Sequence, residues 1–407
     1  MMNMKRRTDL HNKSFTTRAV HAGERVPPGD YVPVTTPIHP TVGYLYDSLD
    51  DLDAIFATTR EGYVYPRYGS PTVSAFEAAV ANLEGGEAAF AFASGMAAIH
   101  VALLAAGVRA GTSVVAALDL YGATHTLLNR LFAELGATVR LVDVTDLAAV
   151  EAAVAETRPL AVAAETISNP LLKVADVPAL SELARRYGAQ FLIDNTFASP
   201  YLFNPLAHGA DYVIHSATKY IGGHGDVMAG VVVTSAERRR KLYELNKLVG
   251  SVLGPFEAWL ALRGCKTLSL RVRQQCANAA HVAEWLAGHP KIARVNYPGL
   301  PVHPQHELAR HLFGGQGFGG VLSFEIAGAN QAKVFRFMEA LELCLPATTL
   351  GDIYTLVLHP ATSSHRSLSP EERAQVGIGE GLVRLSAGIE DATDIIADLD
   401  QALARAI

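Results

Sequence analysis

Cysteine is scarce in this 407-residue chain: Cys265, Cys276 and Cys344 are its only three, widely spaced and with no C-x-x-C pair. That excludes a disulfide framework and a structural zinc site, assigns no metal, and fits a reducing cytoplasm. Long apolar runs are missing as well. No window reaches about 18 uninterrupted apolar residues, so no membrane partner is expected. The opening "MMNMKRRTDLHNKSF" has basic residues but no apolar stretch behind them, so no secretory signal is expected. Charged residues make up only 18% and the net charge is −6, which argues against a basic face and so against nucleic acid as a partner. What is abundant is apolar: 49% of the residues, enough for a large core.

The length suits two domains. Residues 1–60 read as an irregular arm; "VPPGDYVPVTTPIHPTVGY" is proline-rich and extended, with little core of its own, and is expected to lie on another subunit. Residues 61–256 read as a large α/β domain. Short apolar runs such as "AAFAFAS", "TSVVAAL", "LAVAAET" and "QFLIDN" alternate with stretches of helical spacing such as "TVSAFEAAVANLEG", "THTLLNRLFAELG" and "VPALSELARRYG". That alternation predicts a mainly parallel sheet covered on both faces. Residues 257–407 read as a smaller α+β domain, opening with one long helical stretch, "PFEAWLALRGCKTLSLRVRQQCANAAHVAEWLAGH". No internal repeat is present.

Chemistry concentrates at the ends of the strand-like runs. Lys219 follows the apolar run "ADYVIHS" and stands between Ser216, Thr218 and a glycine turn. A lysine at the end of a buried sheet is discharged by burial and suited to attack an aldehyde. Asp194 ends "FLID", where a carboxylate can hold a pyridine nitrogen protonated. Ser94-Gly95-Met96 marks a strand-to-helix turn whose N–H groups suit a phosphate. Each has a plainer explanation taken singly: a surface lysine, a turn cap, a tight turn. Together they are the parts pyridoxal phosphate requires. His215 and the cysteines read as packing residues; His224 reads equally as packing or as a site neighbour.

The chain resembles the Cys/Met-metabolism group of pyridoxal-phosphate enzymes, which includes cystathionine γ-synthases and γ-lyases, methionine γ-lyases and O-acylhomoserine sulfhydrylases. The motifs that carry the resemblance run from "TRAVHAG" through "YVYPRYGSPT", "FASGMAA", "DLYGATHTL", "ETISNPLLKVADV", "LIDNTFASP", "HSATKYIGGHGDVMAG" and "HPATSSHRSLSPEER" to "GLVRLSAGIED". The resemblance implies a type I, aspartate-aminotransferase-like α/β fold with a mainly parallel seven-stranded sheet. It implies a homotetramer of tight dimers that share their active sites, and a small amino acid as substrate. It implies that Lys219 forms the Schiff base, Asp194 meets the pyridine nitrogen and Asn169 the ring hydroxyl. Gly95, Met96, Ser216 and Thr218 then hold the phosphate, Tyr65 and Arg67 reach the phosphate of the neighbouring subunit, and Tyr121 stacks on the ring and acts as an acid. Arg384 takes the substrate carboxylate, with Thr349 beside it.

Departures from the family pattern bear on the reaction. Ala123 stands where methionine γ-lyases resemble one another in a cysteine. "TLGDIYTL" replaces "SLGG-x-E-S-L": Thr349 for serine, Asp352 for glycine, Tyr354 for glutamate. This points to γ-replacement on an acylated homoserine with sulfide or a thiol, ahead of elimination from cystathionine or methionine. Ser70 stands where asparagine is usual, and Pro66 where serine is usual. Transamination and a catalytically inert paralogue are the rival readings from other classes.

Overall fold

The computed structural model describes residues 10, 13–23, 33–366 and 369–406. Most of the opening basic stretch, the first part of the proline-rich arm, and Ser367 and Leu368 lie outside them. Seven strands form the large sheet: β1 (Ala88–Phe92), β2 (Ser113–Ala117), β3 (Thr138–Val142), β4 (Ala161–Glu165), β5 (Gln190–Asp194), β6 (Tyr212–Ser216) and β7 (Gly230–Thr234). Their order is β1-β7-β6-β5-β4-β2-β3, and only β7 runs against its neighbours. The expected α/β architecture with a seven-stranded, mainly parallel sheet is what the chain adopts. The short β-branched and alanine-rich runs form strands because helices cover both faces, so no polar alternation is needed; "GVVVT" of β7 is buried at every position.

A second sheet joins β8 (Ile292–Asn296), β9 (Val321–Ile326), β10 (Leu345–Pro346), β11 (Leu356–Leu358) and β12 (Leu382–Ser386) in the order β10-β11-β12-β9-β8. A separate apolar cluster packs against it, with Phe324, Phe337 and Leu399 fully buried. The long helical stretch at 255–289 is two helices, Pro255–Cys265 and Leu268–Ala287, rather than one. Arg271 explains the break. Its Nη2 takes the Gly264 carbonyl (2.8 Å) and its Nε the Thr267 hydroxyl (3.1 Å), satisfying groups freed where the helix stops. The second helix serves both cores: Leu268, Val272 and Cys276 pack in the large one, Ala279, Val282 and Leu286 in the small one.

The arm is not irregular throughout. Helix Phe15–His21 packs on its own chain: Ala19 is buried in the large core and Thr16 donates to Ser269 (3.1 Å). A second helix spans Leu49–Phe56. The unusual residues beside Arg67 do local work. Pro66 starts the 3-10 turn Pro66–Tyr68, where a missing N–H is no loss. Ser70 caps helix Pro71–Glu84 by accepting from Val73 N, a task serine and asparagine perform about equally. The expected helix over 124–136 begins at Gly122, is α-helical to Thr126, widens to a π-helix over Leu127–Phe132 and closes on α geometry at 133–134. Among the described residues no helix is long and apolar enough to cross a membrane.

Candidate active site

In an open parallel sheet the carboxyl ends of the strands form the crevice where ligands gather. Here that edge collects most of the residues singled out in the sequence. Asp194 ends β5 and Glu165 ends β4, paired in register. Ser216 ends β6, and Lys219 follows three residues later. Helix Gly95–Ala105 begins just after β1, and its first N–H groups, on Gly95 and Met96, have no acceptor within the helix. Gly95 must be glycine: a Cβ there would lie 2.8 Å from the Cβ of Ser216. The two proposed phosphate-holding segments are therefore in direct contact.

Lys219 Nζ donates to Thr349 Oγ1 (2.9 Å), and Arg384 Nη2 donates to the carbonyl of Thr349 (2.8 Å). Arg384 Nη1 reaches Asn169 Oδ1 at 3.4 Å. Thr349 thus ties the lysine of one sheet to the arginine of the other. Arg384 is 3% exposed at the centre of β12, and its Nε has no hydrogen-bond partner. Among the described residues no carboxylate forms an ion pair with it. Burial pushes its pKa down to about 10. A buried guanidinium with an unused N–H and no counter-ion is a site for a carboxylate. Burial, then the charge of Arg384, also lowers the pKa of Lys219, while Asp352 opposes them.

Asp194 accepts from Thr196 N (2.9 Å) and the Thr196 hydroxyl through Oδ1, leaving Oδ2 free of those bonds. Burial raises its pKa. Burial first, then the charge of Asp194, holds the Glu165 carboxyl well above the usual range. Glu165 Oε1 accepts from the N–H of Tyr121 (2.6 Å), and the N–H of Asn169 also bonds this carboxyl. One buried side chain thereby sets the backbone of both Tyr121 and Asn169. Tyr121 is 42% exposed and lies near enough to Arg384 to act on its charge. The Thr218 hydroxyl accepts from Ala229 N (3.0 Å) and donates to Ala229 O (3.2 Å), so its proton is engaged within the chain.

Tyr65 and Arg67 are not part of this cluster. Arg67 Nη1 donates to Lys247 O (2.9 Å), and its guanidinium stacks on Tyr65 and Tyr68. Arg67 lines a separate cleft with Tyr243 and helix Ala236–Val249.

The cradle fits pyridoxal phosphate: free N–H groups at a helix start, a carboxylate with an open oxygen, a lysine whose pKa burial lowers and a ring-sized aromatic on the opposite loop. Three contributors escaped the sequence reading. Glu165 carries the same signal as Asp194, an acid at the end of an apolar strand. Arg271, 4% exposed, donates to Tyr220 O (2.7 Å) and Ile221 O (3.3 Å) and so clamps the loop after Lys219; nothing in "LRVRQQ" distinguishes it from a surface arginine. His215, expected as packing, is bonded to buried Glu84 (2.6 Å), which also accepts from Asn195 (3.0 Å) beneath Asp194. His224 Nδ1–H donates to Gly222 O (2.8 Å) and closes its own turn. Cys265 and Cys276 are buried on helices, and burial pushes both thiols up to about 12. Among the described residues no group of three or more His, Cys, Asp or Glu is arranged to hold a metal ion.

Comparison with known proteins gives a consistent picture. The sequence model of the "Cys/Met metabolism PLP-dependent enzyme" family matches residues 16–404. An L-methionine gamma-lyase of Pseudomonas putida is 43% identical over 392 residues, 96% of this chain and 97% of the relative. An O-succinylhomoserine sulfhydrylase of Pseudomonas aeruginosa is 43% identical over 398 residues, covering 98% and 97%. A cystathionine gamma synthase of Xanthomonas oryzae pv. oryzae, solved in complex with cystathionine, superposes with a TM-score of 0.90 at 38% identity, covering 97% of this chain and 98% of that one.

Proposed function

The chain belongs to the Cys/Met-metabolism family of pyridoxal-phosphate-dependent enzymes, and from that premise we propose that it catalyses γ-replacement on an O-acylhomoserine, with sulfide or a small thiol as nucleophile. The family and these relatives are lyases and transferases of sulfur amino acid metabolism, and the chain is an enzyme of that kind. The observation that carries the reading is Arg384, a buried guanidinium without a counter-ion, joined through Thr349 to Lys219.

Pyridoxal phosphate, when bound, supplies an aldehyde that condenses with amines and a protonated ring that withdraws electrons from the substrate α-carbon. Lys219, Asp194, Asn169, Gly95, Met96 and Ser216 would hold it in this reading; the expected phosphate role of Thr218 falls away, because its N–H and hydroxyl both go to Ala229 O. Arg384 binds the α-carboxylate with two parallel hydrogen bonds and so fixes the Cα–H bond toward Lys219. Lys219, its pKa lowered by burial, removes the α-proton and then a proton from Cβ. Tyr121 gives its hydroxyl proton to the acyl oxygen leaving Cγ. The thiol then adds at Cγ while Cβ regains a proton in place of the one the thiol gives up, and Lys219 returns a proton to Cα.

Two departures support replacement over elimination: Tyr354, half exposed where cystathionine-handling members have glutamate, and Ala123 in place of the methionine γ-lyase cysteine. Elimination is the second reading, favoured by the 43% identity to a methionine γ-lyase. A homotetramer of site-sharing dimers belongs to the proposal, supported by the placement of Tyr65 and Arg67 away from their own Lys219. So does a cytoplasmic location, in keeping with three free, buried thiols. The test incubates holoenzyme with O-acetylhomoserine, O-succinylhomoserine, cystathionine or methionine, each with and without sulfide. Homocysteine from an acylhomoserine plus sulfide is expected. Rapid 2-oxobutyrate from methionine or cystathionine without thiol would overturn the replacement reading.

A further inference from the structure

Asp352 is a carboxylate that the reaction as written leaves idle. It stands on the turn 349–353, where the cystathionine-type pattern has glycine. That turn is pressed onto the Lys219 loop at three points. Lys219 Nζ bonds Thr349 Oγ1 (2.9 Å). Gly351, at φ +77°, sits so close that a Cβ would lie 2.8 Å from Tyr220 N and 3.2 Å from Lys219 C. Ile353 N donates to Gly223 O (3.0 Å). Asp352 lies between the last two contacts, and Gln275 Nε2 fixes its carbonyl (2.7 Å).

The side chain is 3% exposed. The Gly225 N–H donates to it, and a Cβ on Gly225 would lie 3.1 Å from Oδ2. Among the described residues Oδ1 has no hydrogen-bond partner. A buried carboxylate with an empty oxygen calls for a cation. Burial raises the Asp352 pKa, and the charge of Lys219, whose Nζ is bonded to Thr349 rather than paired with Asp352 at rest, is the strongest influence the other way. In return, Asp352 is the carboxylate that favours the charged form of Lys219, against burial and against Arg384 on β12. The other charged groups facing the pair are Asp226 and His224 on the glycine loop, and Arg271 behind it.

We propose that Asp352 is the resident counter-ion of the Lys219 ammonium: a positioning carboxylate that steadies the lysine each time its amine has taken the α-proton, until that proton is passed on. Asp352 touches neither substrate nor ring in this assignment; it acts through the lysine. The inference rests on Lys219 being the base, and not on which acyl group or thiol is used.

The experiment compares the parent holoenzyme with Asp352→Asn, Asp352→Gly and Lys219→Ala. Asparagine keeps the volume and the acceptor for Gly225 N–H; glycine is the residue of the cystathionine-type pattern. Two quantities are read: the pH midpoint of the visible absorption band of the bound cofactor, and the rate at which a substrate amino acid exchanges its α-proton for solvent deuterium. A carboxylate favours a nearby cation, so its removal moves the absorption midpoint to lower pH, by about one unit for a neighbouring charge. Exchange is expected to fall about tenfold, the rate equivalent of one such unit. Asparagine and glycine behave alike if charge is what matters. A midpoint unmoved in Asp352→Asn, with exchange at the parent rate, overturns the proposal and leaves Asp352 as a cap for Gly225. Exchange that persists in Lys219→Ala overturns it differently, by removing the base on which it rests.

Discussion

Replacing Arg384 by methionine separates binding from stability in a way few buried charges allow. Burial lowers the guanidinium pKa from 12.5 to about 10. At 1.36 kcal/mol per unit, the folded protein bears about 3 kcal/mol to keep this charge inside. Methionine removes that burden. It also takes donors from Thr349 O at 2.8 Å and Asn169 Oδ1 at 3.4 Å, and an abandoned buried acceptor costs about 1–3 kcal/mol, the longer contact mattering less. The two effects oppose each other, so Arg384→Met is expected to unfold within about 2 kcal/mol of the parent. Substrate use has no such compensation. Losing a bidentate, charge-assisted grip on a carboxylate forfeits about 3–4 kcal/mol, or roughly 10²–10³ in kcat/KM. The assay pairs denaturant unfolding with kcat/KM for an amino acid substrate and for the matching amine that lacks the carboxylate. The parent should prefer the amino acid strongly, and the variant should hardly distinguish the two. A variant that keeps more than about a tenth of the parent kcat/KM refutes the carboxylate role. A loss of more than about 4 kcal/mol in stability refutes the claim that the charge is held for a ligand rather than for the fold.

Arg271 gives the contrasting case. Arg271→Met strands the carbonyls of Tyr220 and Ile221, while Gly264 O keeps the Thr267 N–H; at about 1–3 kcal/mol for each stranded carbonyl, partly offset by relief of the buried charge, it should lose about 2–4 kcal/mol in denaturant unfolding; a loss below about 0.5 kcal/mol would remove the clamp from the account. His303 and His365 are buried neutral, with burial lowering both to about 4 from an ordinary 6.5. Between those values the unfolded chain binds protons that the folded chain refuses, so stability is full above about pH 6.5 and falls as pH drops toward 4. The slope is up to about 1.4 kcal/mol per pH unit for each histidine. His303→Gln should flatten that slope in unfolding curves at pH 7, 5.5 and 4.5, and an unchanged slope would contradict it.

The large sheet was legible because its strands are buried on both faces and reduce to short runs such as "AAFAF" and "FLIDN", a pattern that needs no partner to recognise. Lys219 and Asp194 were legible for the same reason, as charges at the ends of such runs. Arg384 was visible only through the family, since "LVRLS" places a charge in the middle of a strand and composition alone reads it as solvent-facing. Its burial depends on β9 and β11, which lie on either side of it and come from distant sequence. Arg271 was overlooked on the same ground, because burial of a charge is decided by acceptors and donors that tertiary structure supplies; Glu165, an acid at the end of an apolar run like Asp194, was within reach of the sequence. The break at Lys266–Thr267 is announced only by Gly264, which a helix also tolerates inside, and the bonds that satisfy it come from Arg271, a side chain one turn further on. Asn169 and Thr349 meet Arg384 only after two sheets have docked, so no local pattern could join them.

Helix Leu268–Ala287, about 30 Å long, is rooted in both apolar cores. A protein whose halves were tied by a flexible tether could let one melt while the other stayed folded. Here, melting either core would drag the shared rod out of the other and expose Val272 or Val282 to water. The halves are therefore expected to fail in one cooperative step, with the lysine and the arginine keeping their spacing until the whole molecule gives way.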